Sequence, residues 1–437
     1  MRILLLTHGL PPESVGGVEQ HVEGLADALA RAGHDVHVFA RSGAAGHAQG
    51  AVVPPPDAGA NPRVTRAIYR WEGLTGLDSI YECAPMAQSL RRFLADCAAR
   101  GETFDVAHVH HLTGLSTDAL AVLREAGVPR VLTLHDYWLM CPRGQMWHRR
   151  EEVCAQVEPQ RCGECLHLTF GHWVSPASGP AEATRLHDRA RATLKDATRL
   201  VVPSARVIPA FAALGVDPTR FTVVANGVDT EALHALPLPS CGPGPLRLGY
   251  LGTLIPSKGL HVLLAAVARQ PRGSVELRVH GNAVPYHGDT GYLTRCMGLL
   301  EPGGAVTFFG PYTTQDLPRI LRAVDVVCAP ALWHEAFGLT VREAQAAQRP
   351  VLVSRIGGLQ DAVTDGHEGL VLPPGDVDAW SAAIERLRQD RAAVRAMAGR
   401  SRPRARGFAD MAADLVAVYR AAAAEAAAQT TGPDHRA

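Results

Sequence analysis

Short continuous apolar runs alternate along this chain with segments in which apolar residues recur every three or four positions. Arg2–Thr7 (RILLLT) is of the first kind, the pattern of a strand covered on both faces. Val18, Val22, Leu25 and Leu29 follow at helical spacing, and Gly33 stands where a helix C-cap belongs. Asp35–Ala40 predicts the next strand, and further runs fall at Asp105–His110, Arg130–His135, Leu200–Pro203 and Phe221–Ala225. Pro237–Pro245 (PLPSCGPGP) is rigid and turn-rich and reads as a linker or domain edge. The pattern then restarts, with strands predicted at Leu246–Leu251, Val275–His280, Val306–Phe309, Val326–Ala329, Pro350–Val353 and Gly369–Leu372. Helical segments such as Gly259–Arg269 and Leu317–Ala323 separate them. Two successive sets of this kind predict two parallel-sheet α/β domains, over residues 1–230 and 231–405. Residues 406–437 follow as a C-terminal element. Its Ala-rich helix, Asp410–Ala428, carries Met411, Leu415 and Tyr419 at i, i+4, i+8 and is expected to pack back on the first domain, with the last nine residues fraying.

Composition adds exclusions. Formal net charge is zero, so the balance makes no demand for nucleic acid or an acidic membrane. Arg149 and Arg150, and Arg185, Arg189 and Arg191, read as solvated faces, with peripheral contact to an anionic membrane surface as the alternative. The first apolar run is four residues long and no cleavage site follows, unlike a signal peptide. No stretch approaches the roughly 20 apolar residues that span a bilayer. The expectation is a cytoplasmic protein, peripheral at the inner membrane face if it meets a membrane at all, with reduced thiols. Lys+Arg total 43, yet only Lys195 and Lys258 are lysines, so a lysine kept against that bias invites a chemical reason.

Four segments carry candidate chemistry. The loop Gly9–Gly17 (GLPPESVGG) joins the first strand to a helix, and Gly16 and Gly17 would let backbone amides approach a phosphate or sugar closely. It is not G-x-G-x-x-G, which disfavours a dinucleotide dehydrogenase. His135 ends the strand VLTLH, at the carboxyl edge where such folds bind ligands. In Tyr250–Leu260 (YLGTLIPSKGL), Gly252 and Thr253 follow a strand and Lys258 precedes a helix, where ammonium and helix dipole both favour a diphosphate. In His334–Ala344 (HEAFGLTVREA), Glu335 sits in the loop and Glu343 about two helical turns on. Phe337, Gly338, Leu339 and Thr340 between them form a helix start, so two hydroxyl-binding carboxylates flank amides aimed at phosphate. Asp376-Val377-Asp378, the one D-x-D, opens a helix and reads as a cap.

Together the Gly16-Gly17 loop, Leu134-His135, Asn226-Gly227-Val228-Asp229, Gly252…Lys258-Gly259 and the Glu335/Glu343 segment resemble glycosyltransferase family 4 over nearly the whole chain. The resemblance implies a GT-B fold, two Rossmann-like domains facing across a cleft. It implies a retaining transfer from a nucleotide-diphosphate sugar, UDP- or GDP-linked, to an unidentified acceptor such as a lipid, polysaccharide or small natural product. It also implies roles: Glu335 on donor-sugar hydroxyls, Glu343 on the ribose, Lys258 on the pyrophosphate, His135 near the reacting carbon. Many members carry arginine where this chain has Thr253, which leaves Lys258 as the main cation or requires a substitute such as Arg355. No catalytic metal is implied.

Cys141, Cys154, Cys162 and Cys165 are spaced C-x12-C-x7-C-x2-C within residues 141–165, an insert after the His135 strand. A structural zinc suits that pattern, with His148 and His167 as alternate ligands; an iron–sulfur cluster and unligated or disulfide cysteines stay open. The rival functions are a nucleotide-sugar epimerase, a phosphorylase using Lys195 or Lys258, and a non-catalytic two-lobed sugar- or nucleotide-binding protein.

Overall fold

The computed structural model describes residues 1–300, 304, 306–401 and 405–430. The chain divides into two compact units: Met1–Gly144 with Ala155–Gly227 and the C-terminal segment from Phe408, and Gln145–Cys154 with Val228–Gly407.

The first unit is built on eight strands: β1 (Arg2–Thr7), β2 (Asp35–Ser42), β3 (Val52–Val53), β4 (Arg63–Ile68), β5 (Val106–Val109), β6 (Arg130–Thr133), β7 (Arg199–Val202) and β8 (Phe221–Val223). Their order is β3-β4-β2-β1-β5-β6-β7-β8, parallel except for the antiparallel β3–β4 pair. Strands β3 and β4 went unpredicted. Arg63 and Arg66 interrupt β4, which alternates half-buried and buried positions near the sheet edge, so no apolar run marks it. In β1, by contrast, Ile3, Leu4, Leu5 and Leu6 are fully buried, each such side chain stabilising by about 1.5–3 kcal/mol. Helix α1 (Gly17–Arg31) buries Val22, Leu25 and Leu29, and Gly33 follows its C-cap with φ +83°. Helix α2 (Pro159–Phe170) lies in the insert.

The second unit has a six-stranded sheet: β9 (Leu246–Leu251), β10 (Val275–His280), β11 (Val306–Gly310), β12 (Val326–Ala329), β13 (Val351–Ser354) and β14 (Gly369–Leu372). All pairs are parallel, in the order β11-β10-β9-β12-β13-β14. Helix α3 (Leu260–Ala268) follows β9, and α4 (Leu339–Ala346) follows β12. The core clusters about Leu248, Leu263, Leu277 and Trp380. Asp376 caps the helix Val377–Gln389 by accepting from the Ala379 N–H at 2.9 Å. The Pro237–Pro245 stretch lies inside this unit, and the division falls instead at Gly227–Val228.

The final helix, α5 (Phe408–Thr430), belongs to the first unit, where Met411, Leu415 and Tyr419 join the core formed by β1 and α1. It runs to Thr430, two residues beyond the expected Ala428; the rest of the tail expected to fray, residues 431–437, lies outside the described residues.

Candidate active site

Both sheets reverse their winding direction once, and an open α/β sheet holds its ligands at the carboxyl ends of the strands flanking such a reversal. In the second unit the reversal lies between β9 and β12. After β9 the chain passes Gly252 and Thr253, whose carbonyl accepts from the Tyr250 hydroxyl at 3.1 Å. It then makes a single tight turn, Pro256–Lys258, before α3. Gly259 ends that turn at φ +71°, and a Cβ there would lie 1.9 Å from the Pro330 carbonyl oxygen, so only glycine fits. After β12 the loop carries Trp333 and Glu335, and α4 starts at Gly338, φ +80°, where a Cβ would meet Leu359 at 2.5 Å.

These turns bring Lys258 and Glu335 together across 77 residues of sequence, with Nζ 2.5 Å from Oε2. The ammonium also lies 5.2 Å from the Trp333 ring centroid, within cation–π range. Both side chains are largely buried, at 28% and 14% exposure, so the pair is shielded from full solvent screening. Glu335 is anchored by its backbone carbonyl, which accepts from the Gly358 N–H at 2.6 Å. No side chain caps α4, so its first-turn amides at Leu339 and Thr340 are placed to receive a phosphate. Within α4, burial pushes the Glu343 carboxyl up to about 7. Tyr312 lies beside Thr340 and Glu343, its phenol pushed up by burial and then by the Glu343 charge. Phe337 stacks under the Arg342 guanidinium, 5.0 Å from its ring centroid. Arg355 is exposed and donates to the Val371 carbonyl at 3.2 Å. Gln145, from the short segment grouped with this unit, accepts from Ser257 at 2.6 Å and from Tyr286 at 2.5 Å.

In the first unit the reversal lies between β1 and β5. Gly16 is the N-cap of α1 and Gly17 its first residue; Glu19 accepts from the Ser14 hydroxyl at 2.5 Å and lies 3.4 Å from His8. His135 lies two residues beyond β6 rather than ending it, because β6 pairing with β7 stops at Thr133. It is one of a group. His110 Nδ1 is 3.2 Å from His135 Nε2, and the His21 ring meets His135 edge-on at 4.6 Å. Burial, and then the neighbouring imidazoles, hold His135 and His110 well below the ordinary histidine range, so both are neutral. Sequence reading missed His21, His110, Trp333 and Tyr312. The rule applied to His135, a histidine at a parallel strand's carboxyl end, would have found His110 as well.

None of the nine cysteines is joined in a disulfide. Cys162 and Cys165 are one turn apart on α2, and Cys141 belongs to the same unit; Cys154 belongs to the segment grouped with the second unit. Arg185 pairs with Glu182, Arg189 with Asp78 and Glu82, and Arg191 with Asp188, so this basic run is locally neutralised. No helix among the described residues is long and apolar enough to cross a membrane.

The profile of Glycosyltransferase Family 4 matches residues 15–232, and that of Glycosyl transferases group 1 matches residues 245–390. The chain belongs to glycosyltransferase family 4. It is 28% identical over 411 residues to a D-inositol 3-phosphate glycosyltransferase of Corynebacterium urealyticum, covering 89% of this chain and 88% of that one. It is 27% identical to a glycogen synthase of Mycobacterium tuberculosis, over 92% and 90% of the two chains. A D-inositol 3-phosphate glycosyltransferase of Stackebrandtia nassauensis is 36% identical, over 40% of this chain and 42% of its own. Among solved structures, a sucrose-phosphate synthase from Thermosynechococcus elongatus shares the fold with TM-score 0.68 at 22% identity, covering 96% and 98% of the chains. Anabaena HepE, in complex with UDP and glucose, gives 0.65 at 18%, covering 96% and 99%. This family 4 chain is therefore a glycosyltransferase of the GT-B class, dependent on a nucleotide sugar.

Proposed function

We propose that this glycosyltransferase transfers a hexose, with retention of anomeric configuration, from a UDP- or GDP-linked donor to a hydroxyl acceptor. The observation that carries the reading is the Lys258–Glu335 pair beside the uncapped start of α4. A diphosphate at that helix start meets the Lys258 ammonium and the amides of Leu339 and Thr340, charges already in place when the leaving group becomes anionic. Glu335, released from Lys258, accepts hydroxyls of the donor sugar, and Glu343 accepts those of the ribose. The bond from the anomeric carbon to the phosphate oxygen breaks as the acceptor oxygen bonds to the same face. The acceptor proton passes to the departing phosphate oxygen. Neutral His135 is assigned to the side of the reacting carbon. Lipid, polysaccharide and small natural-product acceptors all supply the hydroxyl this needs, and UDP as base carrier has support from the HepE complex.

A second, structural element is proposed for the insert: a zinc held by its thiols, supported by Cys162 and Cys165 sharing one face of α2. Zinc that disappears in Cys162→Ser supports it; wild-type zinc content in that variant excludes it. A reducing, cytoplasmic setting belongs to the same proposal, in keeping with nine cysteines none of which is in a disulfide.

Thermal shift against UDP, GDP, ADP and their sugars tests the donor assignment, since a ligand bound only by the folded state raises apparent stability. Product NMR then reads the anomeric configuration. An inverted product overturns the retaining mechanism, and donor binding with neither transfer nor slow donor hydrolysis overturns catalysis.

A further inference from the structure

The first unit buries several histidines close together, and they are not equivalent. His108 is fully satisfied: Nδ1 lies 2.6 Å from the Tyr419 hydroxyl and Nε2 lies 2.6 Å from the Thr133 hydroxyl. His21, 3% exposed, has no protein hydrogen-bond partner at either ring nitrogen, and His110, fully buried, has none at Nε2. An unsatisfied buried polar atom loses its hydration without compensation, so a histidine orphaned at both ring nitrogens, as His21 is, calls for an explanation. Ring stacking supplies none, because the orphaned atoms are in-plane nitrogen lone pairs and N–H groups.

The geometry points to a divalent transition-metal site, with zinc as the occupant, held by His21, His110 and His135. One ring nitrogen from each lies within 4.8 Å of the other two. The 3.2 Å separation of His110 Nδ1 and His135 Nε2 is close to the edge of a tetrahedron. That edge is about 3.3–3.4 Å for zinc–nitrogen bonds of about 2.0–2.1 Å.

Three separate elements deliver these side chains. His21 projects from the buried face of α1, His110 follows β5 with its N–H on the Leu6 carbonyl at 2.9 Å, and His135 follows β6 beside β5. Three imidazoles without a carboxylate suit zinc and its neighbours rather than magnesium or calcium. A cavity of about 20 Å³, bounded by His110, His135, Asp136 and Trp138, adjoins the group and holds roughly one water, enough for a fourth ligand. Such a metal would also fix the ring of His135, which otherwise has only the His110 contact and edge packing to orient it.

The inference does not depend on the donor reading, and its test needs no substrate. Untagged, chelator-stripped protein is titrated with Co²⁺ alone and its visible spectrum recorded; Zn²⁺ competition then gives the zinc affinity. Nitrogen-ligated cobalt gives d–d bands without thiolate-to-metal charge transfer, which separates this site from the cysteines. The expected result is such a component near one equivalent, lost in His21→Leu together with the rise in Tm that Zn²⁺ causes. Loss of one ligand should weaken Zn²⁺ binding at this component at least ~100-fold, as second-shell changes alone cost 10–100-fold. His110→Gln is the second variant if His21→Leu does not fold. A wild-type spectrum with thiolate bands only, or a nitrogen-only component unchanged in either folded variant, overturns the proposal.

Discussion

In the first unit the positions after β1, β5 and β6 are histidines, His8, His110 and His135, held neutral by burial, His8 at about 4. In the second, the positions after β9 and β12 carry the Lys258–Glu335 ion pair and, within α4, a Glu343 carboxyl that burial raises. The two sheets share a winding scheme and a reversal point, so topology alone does not dictate this difference. Residue choice sets it, and on the proposed function the second crevice takes the donor's diphosphate. A diphosphate brings charge and needs a cation and oriented amides. Uncharged imidazoles instead offer nitrogen lone pairs, which suit a hydroxyl or a bound metal ion. One architecture thus supports an ion pair at the strand ends of one unit and uncharged imidazoles at those of the other, and residue choice at a few positions separates them.

The comparison breaks most severely at Lys258. Lys258→Ala is expected to lower kcat/KM by about 10³-fold, on the order of 4 kcal/mol of transition-state stabilisation. It also leaves the Glu335 carboxylate without the cation 2.5 Å away. Lys258→Arg keeps the charge but replaces a compact ammonium with a planar fork, in a space bounded by Trp333 and Glu335. It should still lose at least ~10-fold in kcat/KM. Exposed Lys195, in the last turn of its helix, should tolerate arginine without change. Steady-state kinetics of the three variants decides this, and wild-type rates in Lys258→Arg would mean that charge alone suffices.

Smaller losses should distinguish the two carboxylates. Glu335→Ala is expected to act on kcat, by roughly 10–100-fold, because the sugar contacts proposed for it would strengthen in the transition state. Glu343→Ala should act on KM and on nucleotide affinity by about 10-fold, with kcat nearly kept. Purely affinity-type losses at both positions would undo the separation of roles.

Legibility from sequence divides by the range of the interaction. The Glu335–Glu343 segment was readable because loop, helix start and both carboxylates lie within one stretch of chain. The strands β9, β10, β12 and β14 were readable to their end residues, β12 and β14 as short apolar runs and β10 by its alternation of buried Val275, Leu277 and Val279 with half-buried Glu276 and Arg278. The Lys258–Glu335 contact was not, because it requires β12 to pair with β9 rather than with its sequence neighbour β11. His21 and His110 escaped for the same reason: α1, β5 and β6 converge only once β2 and β4 have gone to the other side of β1. Strand β4 was lost locally, its arginines masking a strand that buries only Thr65, Ala67 and Ile68.

The smallest expected effect concerns pH, and it acts on the two units with opposite sign. Burial raises the Glu343 carboxyl from 4.5 to about 7, so between those values the folded chain holds a proton that the unfolded chain has released. Stability contributed at this site therefore falls as pH rises through that window. His37, on β2 with its Nε2 2.8 Å from the Thr65 hydroxyl, is lowered from 6.5 to about 4, chiefly by burial. Between those values the unfolded chain takes up a proton that the folded chain refuses, so here stability falls as pH falls. Thermal scans across this range should show a maximum, with Glu343 contributing to its alkaline arm and His37, among the buried histidines, to its acid arm. Glu343→Gln should flatten the alkaline arm, its gain growing toward pH 7 and reaching on the order of 1 kcal/mol. His37→Gln should make the acid arm shallower by one histidine's share, the other buried histidines keeping the rest, and leave the alkaline arm alone. Nucleotide affinity should strengthen in the wild type as pH rises past about 7, because the ionised Glu343 is the better acceptor for ribose hydroxyls, and should lose that dependence in Glu343→Gln. Equal alkaline slopes in wild type and Glu343→Gln would mean that the carboxylate is already ionised in the folded protein, and the second unit would then be charged throughout.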